Sequence, residues 1–286
     1  MIDRVRPPKE QEACAFSAPD LVHEPPDGTS FLVVGDIHGQ LGKLLTLLRQ
    51  SKLIDGAYEW SGGRTRLWFM GDYFDRGPDA LGVLDLIMHL QASVGADNGE
   101  VGALLGNHDV QLLSAHRFSQ DQSCNPTFVE NWLGNGGDPD DLAGLTDDHL
   151  AWIMSLPSLV RLDDRLLAHA DSDFYLRYGD NINAINAAVA AVLRSDGPDQ
   201  WQELVSNFVD RHVFDDTHPG GVKRARRFLD QLGANQLIHA HTPIDKVTRV
   251  RPEEVSAPYL YADGLCVNVD GGMYRGGPGF LYRVED

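Results

Sequence analysis

Three times in the first 120 residues a short apolar run stops at a glycine, presents a group of polar side chains, and gives way to helical spacing. The first run is Phe31-Leu-Val-Val34, closed by Gly35 and followed over residues 41–53 by leucines at 41, 44, 45, 47 and 48. The second, Leu67-Trp-Phe-Met70, ends at Gly71 and precedes a helical pattern over about residues 79–91. The third, residues 101–105, ends at Gly106, and residues 110–116 read as a helix start. An apolar run stopped by glycine and followed by a 3.6-residue period is strand, turn, helix. Three such units argue for α/β architecture, and the absence of a fixed repeat excludes a solenoid.

Beyond residue 120 the chain reads first as helices and then as strands. Residues 127–133, 146–155, 184–193 and 201–209 are amphipathic, residues 135–139 form a loop by composition, and residues 159–162 and 166–168 flank Asp163-Asp164 as a hairpin. The last third predicts strands at 236–239, 247–250, 259–262, 265–269 and 280–284, with Asp263-Gly264 as a hairpin turn. Residues 1–29 carry Pro7, Pro8, Pro19, Pro25 and Pro26 without periodicity and read as an extended arm, leaving residues 30–286 as one folded domain.

Composition removes several classes of function. Against 24 Lys and Arg stand 42 Asp and Glu, a net charge of −18, which repels nucleic acid and anionic membrane. No apolar run approaches the ~20 residues of a membrane span, and residues 1–9 contain no apolar core for a secretion signal. Cys14, Cys124 and Cys266 are distant and odd in number, which suits a reducing compartment, and the expected location is the cytoplasm.

The chemistry lies where the strands end, the place where α/β folds collect ligands. The first three ends present Gly35-Asp36-Ile37-His38-Gly39, then Gly71-Asp72-Tyr73-Phe74-Asp75-Arg76-Gly77, then Gly106-Asn107-His108-Asp109. Taken alone, Asp36 and His38 read as a capping aspartate beside a surface histidine, and Asp72 and Asn107 as strand-end caps. That bland reading must then hold at every strand end, because His169 follows 166–168 and both His239 and His241 follow 236–238. A set of carboxylates, imidazoles and one amide without cysteine suits Mn²⁺, Fe or Zn²⁺ in a two-metal site.

In their order and completeness the three blocks resemble those of the calcineurin-like metallophosphoesterases, and in particular bacterial members of the phosphoprotein-phosphatase (PPP-type serine/threonine phosphatase) family. Asn131-Trp-Leu-Gly-Asn-Gly-Gly137, Ala240-His-Thr-Pro243 and Val269-Asp-Gly-Gly272 extend the resemblance over roughly residues 31–284. It implies a four-layer α/β/β/α sandwich of mixed sheets with a dinuclear site at the strand C-terminal ends. Carried over residue by residue, Asp36 and His38 bind one metal, Asp72 bridges, and Asn107, His169 and His241 bind the other. His239 competes with His241 for the last role, and the Ala-His-Thr-Pro match favours His241. The cofactors implied are two divalent transition ions, with Mn²⁺ the expected activator and Fe or Zn²⁺ the alternatives.

The same resemblance implies attack on phosphorus by a metal-bridging hydroxide, with His108 as general acid and Asp75 supporting its imidazolium. Arg76 and Asn107 contact the substrate phosphate, and Arg211 is the candidate for a second phosphate-gripping arginine. Asp171 departs from the glycine that the family usually carries there, which puts an acidic group beside His169 as a potential obstruction or extra ligand. Lys223-Arg-Ala-Arg-Arg227 reads as a solvated helix face, or else as a docking patch for acidic phosphopeptide.

The leading function is hydrolysis of phosphate monoesters, phosphoserine and phosphothreonine in proteins first among them, with small phosphate esters as further substrates. The alternative is symmetrical hydrolysis of dinucleoside polyphosphates, which Gly106-Asn-His-Asp-x-x-Leu-Leu113 also resembles. For that reading Tyr73, Phe74 and Trp132 are the candidate purine-stacking platforms. A non-catalytic binding scaffold is a distant third, disfavoured by the completeness of the ligand set.

Overall fold

The computed structural model describes residues 30–95, 99–119, 125–215, 217 and 219–284; the arm assigned to residues 1–29 lies outside them. The three early units are strand β1 (Phe31–Val34) with helix α1 (Leu41–Gln50), β2 (Arg66–Phe69) with α2 (Ala80–Ser93), and β3 (Glu100–Ala103) with α3 (Asn107–Phe118). Helices α4 (Asn125–Gly134), α5 (Pro139–Gly144) and α6 (Asp147–Ser155) lead to the hairpin β4 (Leu159–Leu162) and β5 (Arg165–Ala168). Helices α7 (Ile182–Leu193), α8 (Pro198–Phe208) and α9 (Gly221–Leu232) precede β6 (Gln236–His239) and the short α10 (Ile244–Thr248). The chain closes with β7 (Tyr259–Tyr261), β8 (Cys266–Asn268) and β9 (Tyr282–Val284).

The strands form two mixed sheets. One has the order β3-β2-β1-β9, with β1, β2 and β3 parallel and β9 antiparallel. The other has the order β4-β5-β6-β8-β7, with β5, β6 and β8 parallel between antiparallel edges. Alternation along each strand decides which face meets which layer. Phe31, Val33, Trp68 and Met70 join Leu167, Ile238 and Val267 of the second sheet in one apolar cluster between the sheets. The alternate residues Leu32, Val34, Leu67, Phe69, Leu166 and Leu237 belong to a larger cluster with Leu44, Leu48, Val83 and Ile87 of α1 and α2 and Phe228 and Leu229 of α9. Both faces of each sheet are therefore covered, which is why the strands read as unbroken apolar runs. The architecture is the expected sandwich of two mixed sheets with helices outside.

Residues 247–250 are not the strand their alternation suggested. Pro243 starts α10 at Ile244, and Arg249 ends it in the left-handed region at φ 63°. The β-branched pair Val247-Thr248 sits at its end, where the Thr248 hydroxyl donates to the Ile244 carbonyl at 2.8 Å. The basic run 223–227 lies on α9, with Ala225, Phe228, Leu229 and Leu232 buried and Lys223, Arg226 and Arg227 exposed. Asp263 and Gly264 adopt φ 56° and 82° in the turn between β7 and β8, which pair as a hairpin.

Leu167 is fully buried between the sheets. Leu167→Ala is expected to lower unfolding free energy by about 2–5 kcal/mol, read from urea denaturation with unchanged slope.

Candidate active site

Parallel pairing of β1, β2 and β3 brings their C-terminal ends side by side, and the turns there are stitched together. The Asp72 carbonyl accepts the Ile37 and His38 amides at 3.2 and 2.9 Å, and the Tyr73 carbonyl accepts the Gly39 amide at 2.8 Å. Asp109, fully buried, accepts the amides of Asp72, Tyr73 and Gly106 at 3.1, 3.1 and 2.8 Å. These bonds hold His38 and Asp72 at φ 47° and 55°, and Asp36, accepting the His241 amide at 3.2 Å, holds His241 of the second sheet at 71°, a region costly for side-chain-bearing residues. Gly106 is required by space, since a Cβ there would lie 2.3 Å from both the amide nitrogen and Oδ1 of Asp72.

Two groups of ligand atoms result, His38/Asp72/His108 and Asp72/His169/His241, each lying within 4.8 Å of one another and sharing Asp72. The backbone sets the tautomers, because a carbonyl can only accept. His38 Nδ1–H donates to the Phe74 carbonyl at 2.7 Å, leaving Nε2 toward Asp72 Oδ2 at 3.6 Å and Asp36 Oδ2 at 3.9 Å. His169 Nδ1–H donates to the Met70 carbonyl at 2.8 Å, leaving Nε2 at 2.9 Å from Asn107 Oδ1, 3.1 Å from His241 Nδ1 and 3.4 Å from Asp72 Oδ1. Burial first, and neighbouring imidazoles next, push His38 and His241 well below the ordinary histidine range, so both are neutral and ligand-competent. At His169 burial is outweighed by the charge and hydrogen bond of Asp72, which raise it. Burial, then the charges of Asp270 and Asp72, push Asp36 well above the carboxylate range. Lone pairs and carboxylates converging without enough protons to separate them fit divalent cations, and the set lacks the thiolates of a structural zinc site. His239 faces elsewhere, with Nδ1 on the Ala240 carbonyl at 3.0 Å and Nε2 on the Tyr261 hydroxyl at 2.9 Å.

Beside these groups stands a hydrogen-bonded dyad. His108 Nδ1 lies 2.5 Å from Asp75 Oδ2, and the Trp132 indole N–H donates to the other Asp75 oxygen at 2.8 Å. Burial pushes Asp75 up to about 7 and His108 down to about 4. Between those limits the pair holds one shared proton in the Oδ2–Nδ1 bond, and His108 Nε2–H remains available to donate. Arg76, exposed at the mouth, donates to His38 Nε2 at 2.9 Å and to the Asn135 carbonyl at 3.3 Å, and its guanidinium lies 4.5 Å from the centre of the Tyr274 ring. Arg211 comes from the loop after α8, half-buried, and its charge contributes to lowering both His108 and His241. The structure thus brings Asp36, His38, Asp72, Asp75, Arg76, Asn107, His108, His169 and His241 into one place, with Arg211 facing it.

Asp171 neither obstructs the site nor joins the ligand groups; its carboxylate accepts the Tyr261 hydroxyl at 2.8 Å and the His212 amide at 3.0 Å. Tyr73 and Phe74 are fully buried and Trp132 is 1% exposed, so none of the three offers a stacking face. Sequence reasoning missed four residues here. Trp132 was seen within its motif, but its hydrogen bond to Asp75 depends on α4 docking 57 positions away. Asp109 closes the third polar block, where the sequence assigns it no role. Fully buried Asp270 holds the Gly272 amide at 2.9 Å, and burial pushes it up to about 6. Tyr274, partly exposed, meets the His38 ring edge-on at 4.8 Å; a lone tyrosine in a glycine-rich turn carries no sequence signal for that contact.

The sequence profile of the calcineurin-like phosphoesterase family matches residues 29–245. Shewanella-like protein phosphatase 1 of Plasmodium berghei (strain Anka) is 28% identical over 223 residues, 74% of this chain. The chain spans only 60% of the length of that relative. The symmetrical bis(5'-nucleosyl)-tetraphosphatase of Klebsiella pneumoniae subsp. pneumoniae is 25% identical over 271 residues, 90% of this chain and 86% of that protein. Among solved structures, a cold-active protein-tyrosine phosphatase of a psychrophilic Shewanella species superposes with a TM-score of 0.68 at 22% identity, over 90% of this chain and 76% of that one, a likeness of fold.

Asp72→Asn removes charge from the carboxylate common to both ligand groups. It is expected to weaken retention of divalent ions about tenfold or more, read as metal per chain by mass spectrometry after dialysis. His239→Ala is expected to retain metal at the wild-type level.

Proposed function

The chain belongs to the calcineurin-like phosphoesterases, hydrolases of phosphoric ester bonds, and from that premise we propose that its substrates are phosphate monoesters, chiefly phosphoserine and phosphothreonine in proteins. We place the catalytic domain at residues 30–286. The observation that carries this reading is the His108–Asp75–Trp132 chain of hydrogen bonds, at 2.5 and 2.8 Å. A supported general acid matters most when the leaving group is an alkoxide, as it is from serine or threonine.

Asp36, His38 and Asp72 would hold one divalent ion, and Asp72, Asn107, His169 and His241 the other, with Mn²⁺ our choice and Fe or Zn²⁺ the alternatives. Such ions supply activation of water at neutral pH and neutralisation of phosphoryl charge. The protein's own part is to orient and to move a proton. Arg76 and Arg211 grip non-bridging oxygens with planar forks, and Asn107 adds a polar contact. His108 Nε2–H protonates the departing oxygen while Asp75 keeps the proton on Nδ1 and balances the imidazolium. Trp132 fixes the Asp75 carboxylate so that one oxygen always faces His108.

Symmetrical hydrolysis of dinucleoside tetraphosphates is the second reading. The Klebsiella relative, whose length the chain spans to 86%, favours it, as does Tyr274, a partly exposed ring at the mouth. Against it stand the buried Tyr73, Phe74 and Trp132, the net charge of −18, and an acid whose value falls when the leaving group is a phosphate. At equal Mn²⁺, kcat/KM is expected to be higher for a phosphothreonine peptide than for diadenosine tetraphosphate. A tenfold preference for the dinucleotide with symmetrical cleavage to ADP overturns the leading reading.

The dyad also sets a pH dependence. Below about 7 the dyad carries two protons, one between Asp75 and His108 Nδ1 and one on Nε2; above it only the proton facing Asp75 remains and Nε2 has none to donate, so kcat on phosphothreonine peptide should fall as pH rises through that value. His108→Asn should lower that kcat by on the order of 10²–10⁴ and abolish the descending limb, with a smaller loss on p-nitrophenyl phosphate. Equal losses on both substrates remove His108 from the role.

A further inference from the structure

We propose that Asp171 is a positioning residue that locks the loop carrying Arg211 against the end of β5, and so aims the second guanidinium at the substrate phosphate. The inference rests on the role proposed above for Arg211.

After α8 ends at Phe208, residues 209–213 cross to the site outside any strand or helix. The Asp210 amide stays on the Asn207 carbonyl at 3.1 Å, and the bonds across to the end of β5 come from residues 171 and 172. The His212 amide donates to Asp171 Oδ1 at 3.0 Å, and the Val213 amide donates to the Asp171 carbonyl at 3.2 Å. The Ser172 hydroxyl donates to Asp210 Oδ2 at 2.7 Å, and the other Asp210 oxygen accepts the Arg211 amide at 3.1 Å. Three successive amides, 211 to 213, are thereby satisfied by one two-residue segment and the aspartate it anchors. The clamp also keeps His212 at φ 63°, a left-handed turn that a histidine does not hold unaided.

Asp171 is itself fixed. It is 2% exposed, and its second oxygen accepts the Tyr261 hydroxyl from β7 at 2.8 Å. It stands two residues beyond His169, so the strand end that delivers a candidate metal ligand also holds the phosphate-binding loop. Arg211 has no carboxylate partner among the described residues, and its guanidinium contacts only the Val209 carbonyl through Nε at 3.4 Å. Its direction is therefore inherited from the backbone rather than from an ion pair. A guanidinium held this way loses less freedom when it grips phosphate, which favours affinity more than turnover.

The test is a double-mutant cycle on the full-length holoenzyme, with inorganic phosphate as competitive probe and a phosphothreonine peptide as substrate. Asp171→Ala should raise the inhibition constant of phosphate and KM about 5–30-fold, with kcat changed less than about threefold and metal content unchanged. Asp171→Asn keeps an acceptor for the His212 amide and should recover to within about twofold of wild type. In an Arg211→Ala background, Asp171→Ala should add less than about twofold. If Arg211→Ala leaves phosphate affinity intact, the assignment of Arg211 fails and this inference with it. If Arg211→Ala weakens phosphate binding but Asp171→Ala costs the same factor in both backgrounds, Arg211 keeps its role and the positioning of it by Asp171 is overturned. Should Asp171→Ala fail to fold, Ser172→Ala loosens the same loop through Asp210 and must show the same KM-selective loss, absent in the Arg211→Ala background. A kcat-dominated or background-independent loss there overturns the inference.

Discussion

Burying many carboxylates in one place is the constraint that the rest of this structure answers. Asp36, Asp72, Asp75, Asp109 and Asp270 are each at most 2% exposed, and an uncompensated buried charge costs several kcal/mol. Each is compensated differently. Asp109 is spent on three backbone amides, and Asp75 on an indole and an imidazole. Asp36 accepts the His241 amide and lies 3.9 and 3.8 Å from nitrogens of His38 and His169, Asp270 holds the Gly272 amide, and burial drives both upward. Asp72 takes the His108 amide at 2.8 Å and faces three imidazoles, whose influence outweighs burial and holds it low. A cation held across Asp36, Asp72 and the imidazoles would relieve what hydrogen bonds cannot, and would couple binding of a divalent ion to stability of the fold.

The backbone around those carboxylates is correspondingly strained. His38, Asp72, Asp75, Arg76 and His241 all have positive φ. Such conformations persist only where the surroundings overdetermine them. Here the overdetermination is visible, since each turn is bonded to its neighbour rather than only to itself. Asp109 ties the β2 turn to the start of α3, the Asp72 and Tyr73 carbonyls tie the β1 turn to the β2 turn, and Asp36 accepts the His241 amide at 3.2 Å from the other sheet. The two sheets are thus joined at the site by polar bonds as well as by the apolar cluster between them. Glycines 71 and 106 are what allow the approach, because a Cβ on Gly71 would lie 2.7 Å from the Gly106 backbone.

Division of labour follows from position. Ligand atoms come from strand ends, which are rigid. The arginines proposed to meet substrate, Arg76 and Arg211, and Tyr274 at the mouth come from loops and turns whose backbone is pinned from elsewhere in the chain. Lys43 holds the Tyr274 turn through the Met273 and Gly277 carbonyls at 2.7 and 2.8 Å, and the Arg76 amide is held by the Gly136 carbonyl at 3.0 Å. In an acidic chain, these cations mark the place where an anion is wanted.

The early strand ends were legible in the sequence because the signal is local: an apolar run, a glycine, and polar residues in a fixed short order. That local order determined the α/β architecture, the family resemblance, and the candidates Asp36, His38, Asp72, Asp75, Arg76, Asn107 and His108. It failed at residues 247–250, where alternation competed with a proline-started helix, whereas the basic run 223–227 does lie on a helix face, that of α9. Which of His239 and His241 faces the other ligands was decided only by the turn after β6. There φ 71° at His241 points one imidazole at Asn107, while its neighbour two residues back is taken by Tyr261. The roles of Trp132, Tyr274 and Asp171 were likewise beyond the sequence, because their partners lie 57, 236 and 41 positions away along the chain. Composition and spacing fix what a strand end can offer; only packing decides which offers meet.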